Sequence, residues 1–174
     1  MKRLFAPITL LVLFLLQVNP VTGQRDAQVE ALVHKKINQV RAKHGVRTLR
    51  RDMRLDSAAA LQIGWCVANQ TLSHTRTHGR MRTPEDRLRA VDYDWTTYGE
   101  NLLYRSADDE SADELAELIV KQWIASQGHY ENLLDPDYRY AGTVVMWDDE
   151  GVVWAGQVFA TPERINRPQV SAQR

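Results

Sequence analysis

Residues 141–159 read AGTVVMW-DDEG-VVWAGQVF, and this stretch decides the architecture. Residues 141–147 and 152–159 are rich in Val and Trp, side chains that suit a pleated, half-buried surface. Between them Asp148-Asp149-Glu150-Gly151 is acidic and ends in glycine, the composition of a turn. The two runs therefore form an antiparallel hairpin. Upstream, residues 100–104 (ENLLY) are a further short apolar run of strand type.

Working outward from the hairpin, the rest of the pattern is helical. Val29, Leu32, Val33, Ile37 and Val40 recur at helical spacing, with Asp26 to cap the start and Gly45 to suit the stop, which places a first helix over about residues 26–44. A second runs from Asp52 or Asp56 to Asn69, with Leu55, Ala59, Ile63 and Val67 on one face. Thr83-Pro84-Glu85 carries the cap-then-proline signature of a short third helix through Ala90. Ser111 and Glu114 form a capping box that opens a helix with Leu115, Leu118, Ile119 and Trp123 inward, ending near Gly128. The expected class is α+β, a small antiparallel sheet with helices packed on both faces.

The ends of the chain bear on where the protein works. Lys2 and Arg3 precede an almost unbroken apolar run over residues 4–18. A basic start, a core short of the ~20 residues a spanning helix needs, and a small-residue exit describe a signal peptide over residues 1–23, cut after Gly23. Pro7 and Gln17 weaken the alternative of an uncleaved anchor, and no Cys follows the run, which excludes a lipoprotein signal. Export, to the periplasm or outside the cell, is the expectation. One domain over residues 24–160 then precedes a polar tail, residues 161–174, with two prolines, read as disordered.

Without residues 1–23 the chain has 151 residues and carries 20 Lys+Arg against 22 Asp+Glu. That balance is no footprint for nucleic acid and gives no long-range attraction to anionic membranes, although local patches remain open. Cys66 is the single cysteine, so no internal disulfide forms. It sits in an apolar helical stretch (LQIGWCVAN), where a buried, inert thiol is expected.

Polar residues stand at the edges of these elements: Ser73-His74 after the second helix, Gly99-Glu100-Asn101 at the start of a strand, Gly128-His129 at a helix end with Asn132 following. Glu100 is the most telling. A carboxylate directly before Leu102-Leu103 lies at the rim of a buried strand, where an unpaired charge is costly. It needs a partner, and His74 or His129 has the right chemistry.

Taken in order, Ser73-His74, Gly99-Glu100-Asn101-Leu102, Trp123 to Ser126 running into Gly128-His129-Tyr130-Glu131-Asn132, and Gln157-Val158-Phe159 resemble the motifs of the CAP superfamily (cysteine-rich secretory proteins, antigen 5, pathogenesis-related 1 proteins), in its bacterial branch. Ile37-Asn38, Arg41, Gly45, Leu49 and Leu55 match that branch's opening pattern, so the resemblance covers roughly residues 28–160. It implies a three-layer α/β/α sandwich whose central groove holds a tetrad of two His and two acids. By position, His74 and His129 match the histidines and Glu100 the first acid. The second acid of many eukaryotic members falls here on Ser126, which removes one carboxylate.

The resemblance implies a groove lined by His74, Glu100, Ser126 and His129 that binds a small or lipidic ligand. It also implies a divalent metal such as Zn²⁺ on His74 and His129, a donor set such metals accept. The blander reading is a hydrogen-bonded cluster that ties three elements together. A metal-dependent hydrolase or peptidase, with Glu100 and His129 as catalytic candidates, is the alternative function, since the fold alone does not fix the activity.

Other arrangements carry less. His74 and His78 are four apart, but the segment lacks the Glu of a helical zinc-protease motif and reads as a loop, with His78 a candidate auxiliary ligand. Ser73 and Ser126 sit in no nucleophile elbow, and neither an orienting acid nor an oxyanion hole is evident beside them. Trp95, flanked by Asp94 and Thr96, is the one tryptophan that could line a ligand surface.

Overall fold

The structure, a computed structural model, describes residues 23–163. All of the expected signal peptide except Gly23, and the tail from residue 164, lie outside the described residues. In chain order the elements are β1 (Gln24–Arg25), α1 (Ala27–Lys43), β2 (Arg50–Arg51), α2 (Met53–Asn69), α3 (Pro84–Ala90), β3 (Trp95–Ser106), α4 (Ala112–Ile124), α5 (Gln127–Leu134), β4 (Tyr140–Trp147) and β5 (Val152–Pro162).

Local chemistry sets the helix ends. The Asp26 carboxylate accepts from Val29 N at 3.0 Å and the Asp52 carboxylate from Arg54 N at 2.9 Å, each satisfying a free amide of a first turn. Thr83 with Asp86, and Ser111 with Glu114, form reciprocal capping boxes. α1 stops where Gly45 takes φ +69°, a conformation that suits glycine.

The hairpin is present. β4 and β5 pair antiparallel from Tyr140↔Ala160 to Trp147↔Val153. Asp148 closes the turn, its Oδ1 accepting from Glu150 N at 3.0 Å and Val152 N at 2.9 Å. β3 pairs antiparallel with the far side of β5, giving the order β1-β4-β5-β3, and β2 pairs in parallel with the same side of β4 as β1. β5 continues past residue 159 because Thr161 and Pro162 find partners in Thr97 and Trp95.

Alternation along the strands splits the core in two. Leu103, Val145, Val153, Ala155 and Phe159 face α1 and α4, where Ile37, Ile119 and Trp123 are fully buried. Leu102, Val144, Trp154 and Val158 face α2 and α3, against Leu55, Ile63 and Leu88. Each such large side chain contributes on the order of 1.5–3 kcal/mol by leaving water. The result is the α/β/α sandwich.

One helix boundary differs from the expectation. The helix begun at Ser111 does not reach Gly128: Ser126 adopts an extended conformation (φ −105°, ψ 120°), and α5 starts after it. The Ser126 carbonyl accepts from Tyr130 N at 2.8 Å as the first bond of the new helix. His129 therefore sits in the first turn of α5 rather than at the end of α4.

Candidate functional site

β3 is the edge strand, and the site forms where its Gly99-Glu100-Asn101 segment meets the loop after α2 on one face and α5 on the other. Glu100 and Leu102 point to the α2/α3 face, so the Glu100 carboxylate enters the layer between sheet and α3. There Arg87 Nη2 donates to Glu100 Oε2 at 2.7 Å. Only 1% of the Arg87 side chain and 3% of the Glu100 side chain remain exposed. His74 Nδ1 lies 2.9 Å from Glu100 Oε1. A carboxylate paired with a guanidinium only accepts, so Nδ1 is the donor and Nε2 points away from the carboxylate.

The loop carrying His74 is tied down. The Ser73 carbonyl accepts from Gln62 Nε2, Arg76 Nε donates to Gln62 Oε1 at 3.0 Å, and Arg87 Nη2 also reaches the His74 carbonyl at 3.2 Å. Ser73 Oγ is spent on a local turn, donating to Thr75 O at 2.7 Å, so it is no free nucleophile. Cys66 is buried beneath this loop, and burial pushes its thiol pKa up, as expected of an inert cysteine.

On the opposite face Asn101 Nδ2 donates to the His129 carbonyl at 3.0 Å, and Asn132 Nδ2 donates to Asn101 Oδ1 at 2.8 Å. Asn101 is thus the link between strand and α5. Gly99 permits the close approach at this point, since a Cβ there would stand 2.3 Å from Tyr138 Oη and 3.0 Å from Asn132 Oδ1. The His129 pKa is lowered, first by burial and then by the charge of His74. Both effects disfavour the protonated His129 ring.

The structure thus brings His74 and Glu100 into contact, while His129 is held to the other face of β3 through its carbonyl on Asn101. Ser126, half-buried, caps α5 by position but its hydroxyl makes no capping bond. His78 is exposed on the loop. Trp95 packs edge-on against Tyr98 at 5.7 Å with Arg89 over its ring. Among the described residues, no three His, Cys, Asp or Glu side chains group to hold a metal ion. Both Glu100 oxygens are already engaged, so the donors left for a metal are two imidazoles. Asn132, marked in the sequence after His129, joins the site, whereas Arg87 and Gln62 carry no mark there.

This sandwich, with a His–Glu–Arg cluster on its edge strand, defines a CAP-type domain. The cysteine-rich secretory protein (CAP) family model matches residues 34–159, well over half of the chain, and the chain belongs to that family. It is 27% identical over 136 residues to the uncharacterized membrane protein YlbC of Bacillus subtilis, covering 75% of this chain and 36% of that protein. The chain spans less than half the length of the curated relatives it matches. An outer surface protein of Borrelia burgdorferi superposes with a TM-score of 0.70 at 19% identity, over 81% of this chain and 99% of that one. An extracellular SCP-domain protein of Bacillus anthracis gives a TM-score of 0.62 at 23% identity, over 76% of this chain and 40% of that one. These structures share the fold.

Proposed function

We propose that this chain is an exported CAP-domain binding module that takes a small or lipidic ligand in the groove lined by His74, Glu100, Ser126 and His129. The observation that carries this reading is the engagement of both Glu100 oxygens, one by Arg87 and one by His74. A carboxylate so held has no free oxygen for the general-base role that the hydrolase alternative requires. It acts instead as a positioning residue that aims His74. Export is supported by the apolar run over residues 4–18 and by relatives that are extracellular or outer surface proteins.

A divalent metal would find at most two imidazoles as protein donors here, since among the described residues no three His, Cys, Asp or Glu side chains group to hold one. His74, backed by a carboxylate as metal-bound imidazoles commonly are, and neutral His129 would hold it, with water completing the shell. A bound Zn²⁺ would supply a Lewis acid there.

The test is a titration of the protein with palmitate, and separately with Zn²⁺, followed by calorimetry. Saturable binding by the wild-type protein should weaken at least tenfold in both His74→Ala and His129→Ala, with unchanged circular dichroism. Equal affinity in all three proteins overturns the groove assignment. Ester or peptide turnover lost in both variants would move the assignment to the hydrolase.

A further inference from the structure

A separate cavity lies away from His74 and His129, where the turn after α1 meets the start of β4. Arg47, Thr48, Arg50, Arg139 and Tyr140 line about 350 Å³. No carboxylate lines it, and among the described residues none of the three guanidinium groups is in an ion pair. Most other basic side chains with a close partner show what pairing looks like here, as in Arg51 with Asp56 at 2.9 Å or Arg105 with Glu110 at 3.2 Å. Clustered, unpaired like charges oppose folding and leave a local positive potential on a chain whose formal net charge is zero.

The walls are held in place. Arg50 N donates to Arg139 O at 3.0 Å, and Asn38 bonds Leu49 through both its amide nitrogen (2.9 Å, to O) and its oxygen (2.7 Å, from N). Behind the turn stands a fourth cation. Arg41 is fully buried, and its Nε donates to Arg47 O at 2.7 Å and its Nη1 to Leu133 O at 2.7 Å. Its Nη2 has no partner among the described residues. Burial lowers its pKa, the Asp135 carboxylate opposes that shift, and the Arg139 charge adds to it. Arg139 spends Nη1 on the Pro136 and Tyr138 carbonyls, and Arg50 lies over the Tyr140 ring at 5.5 Å. The remaining guanidinium donors and the Thr48 hydroxyl around one cavity match the several oxygens of a phosphate group, which guanidinium groups recognise in bidentate fashion.

We infer that the pocket of Arg47, Thr48, Arg50 and Arg139 is a binding site for a phosphate group, independent of the histidine site. The phosphate comes either from a soluble phosphate-bearing molecule or from an anionic lipid headgroup, and the probes separate the two. Calorimetry with inorganic phosphate at low ionic strength reads the first. Flotation with vesicles of phosphatidylglycerol, against vesicles of phosphatidylcholine alone, reads the second.

Binding of at least one probe should fall tenfold or more in Arg47→Gln/Arg139→Gln. It should persist in Arg80→Gln/Arg82→Gln, which makes the same change in charge outside the pocket. It should also persist in His129→Ala, so that failure here is distinct from failure of the groove assignment. Phosphate binding without vesicle binding assigns a soluble ligand, and selective binding to phosphatidylglycerol assigns the headgroup. No binding of either probe by the wild-type protein, or equal losses in the two double variants, overturns the site.

Discussion

Arg87 and Glu100 meet at 2.7 Å with both side chains withdrawn from water, so neither charge can be resolvated if the other is removed. Arg87→Met should therefore cost about 3–5 kcal/mol, because it leaves a buried carboxylate with only the His74 hydrogen bond. Adding Glu100→Gln to that variant removes the stranded charge. The double variant should be more stable than Arg87→Met alone in urea denaturation, and additive losses would contradict the pairing. His129 gives a second check. Its NMR titration midpoint should lie below the ordinary value of about 6.5. In His74→Ala the midpoint should rise, since the neighbouring charge is gone, yet stay below that value because burial remains. The rim position of Glu100 was enough to show in the sequence that it needs a partner, and His74 is one. Arg87 was not legible: it stands among Arg80, Arg82 and Arg89, and only the fold makes it the buried one.

At the scale of elements, side-chain signals in the sequence mark the hairpin and four helix starts, and all of these form. Asp26, Thr83 and Ser111 each cap the helix expected of them, and of the two starts open for the second helix, Asp52 and Asp56, Asp52 is the cap. The break between α4 and α5 left no such mark, because Ser126 ends one helix and begins another without a hydroxyl bond to the new first turn. β1 and β2, two residues each, are too short to show a period at all. They form because the edge of β4 is satisfied piecemeal: Thr143 N donates to Asp56 Oδ1 at 2.8 Å and Val145 N to Glu30 Oε1 at 3.3 Å between them. That arrangement brings the first turn of α2 onto the strand. A Cβ on Gly142 would stand 2.0 Å from Asp56 N and from the Leu55 carbonyl carbon. Neither atom belongs to a side chain that can swing away, so Gly142→Ala should cost about 3 kcal/mol by overpacking, measured as a lowered urea midpoint. An unchanged midpoint would mean that α2 does not approach β4 this closely.

For the whole molecule, the two-sided core and the absence of a disulfide make stability depend on packing and on charges held in place, and the latter sets a pH profile. His34 and His129 both have lowered pKa values, burial being the first cause in each; Arg51 and His74 respectively add to it. A histidine whose folded pKa is depressed binds its proton less readily folded than unfolded. Its contribution is fully present above the unfolded value of about 6.5 and is lost as pH falls through the folded pKa. Asp52 and Asp148 act the same way at lower pH. Burial raises each, but hydrogen bonds from Arg54 to Asp52, and from Trp154, Val152, Gln70 and Glu150 to Asp148, outweigh it and bring both below the ordinary carboxylate range. Stability should therefore fall in two stages on acidification, the first beginning near pH 6.5 and the second near pH 4, as the carboxylates protonate. Urea midpoints measured across this range will show both. In His34→Gln/His129→Gln the first stage should disappear while the second stays, because the carboxylate bonds are untouched. A first stage that survives in that variant would place its origin in groups other than these two imidazoles.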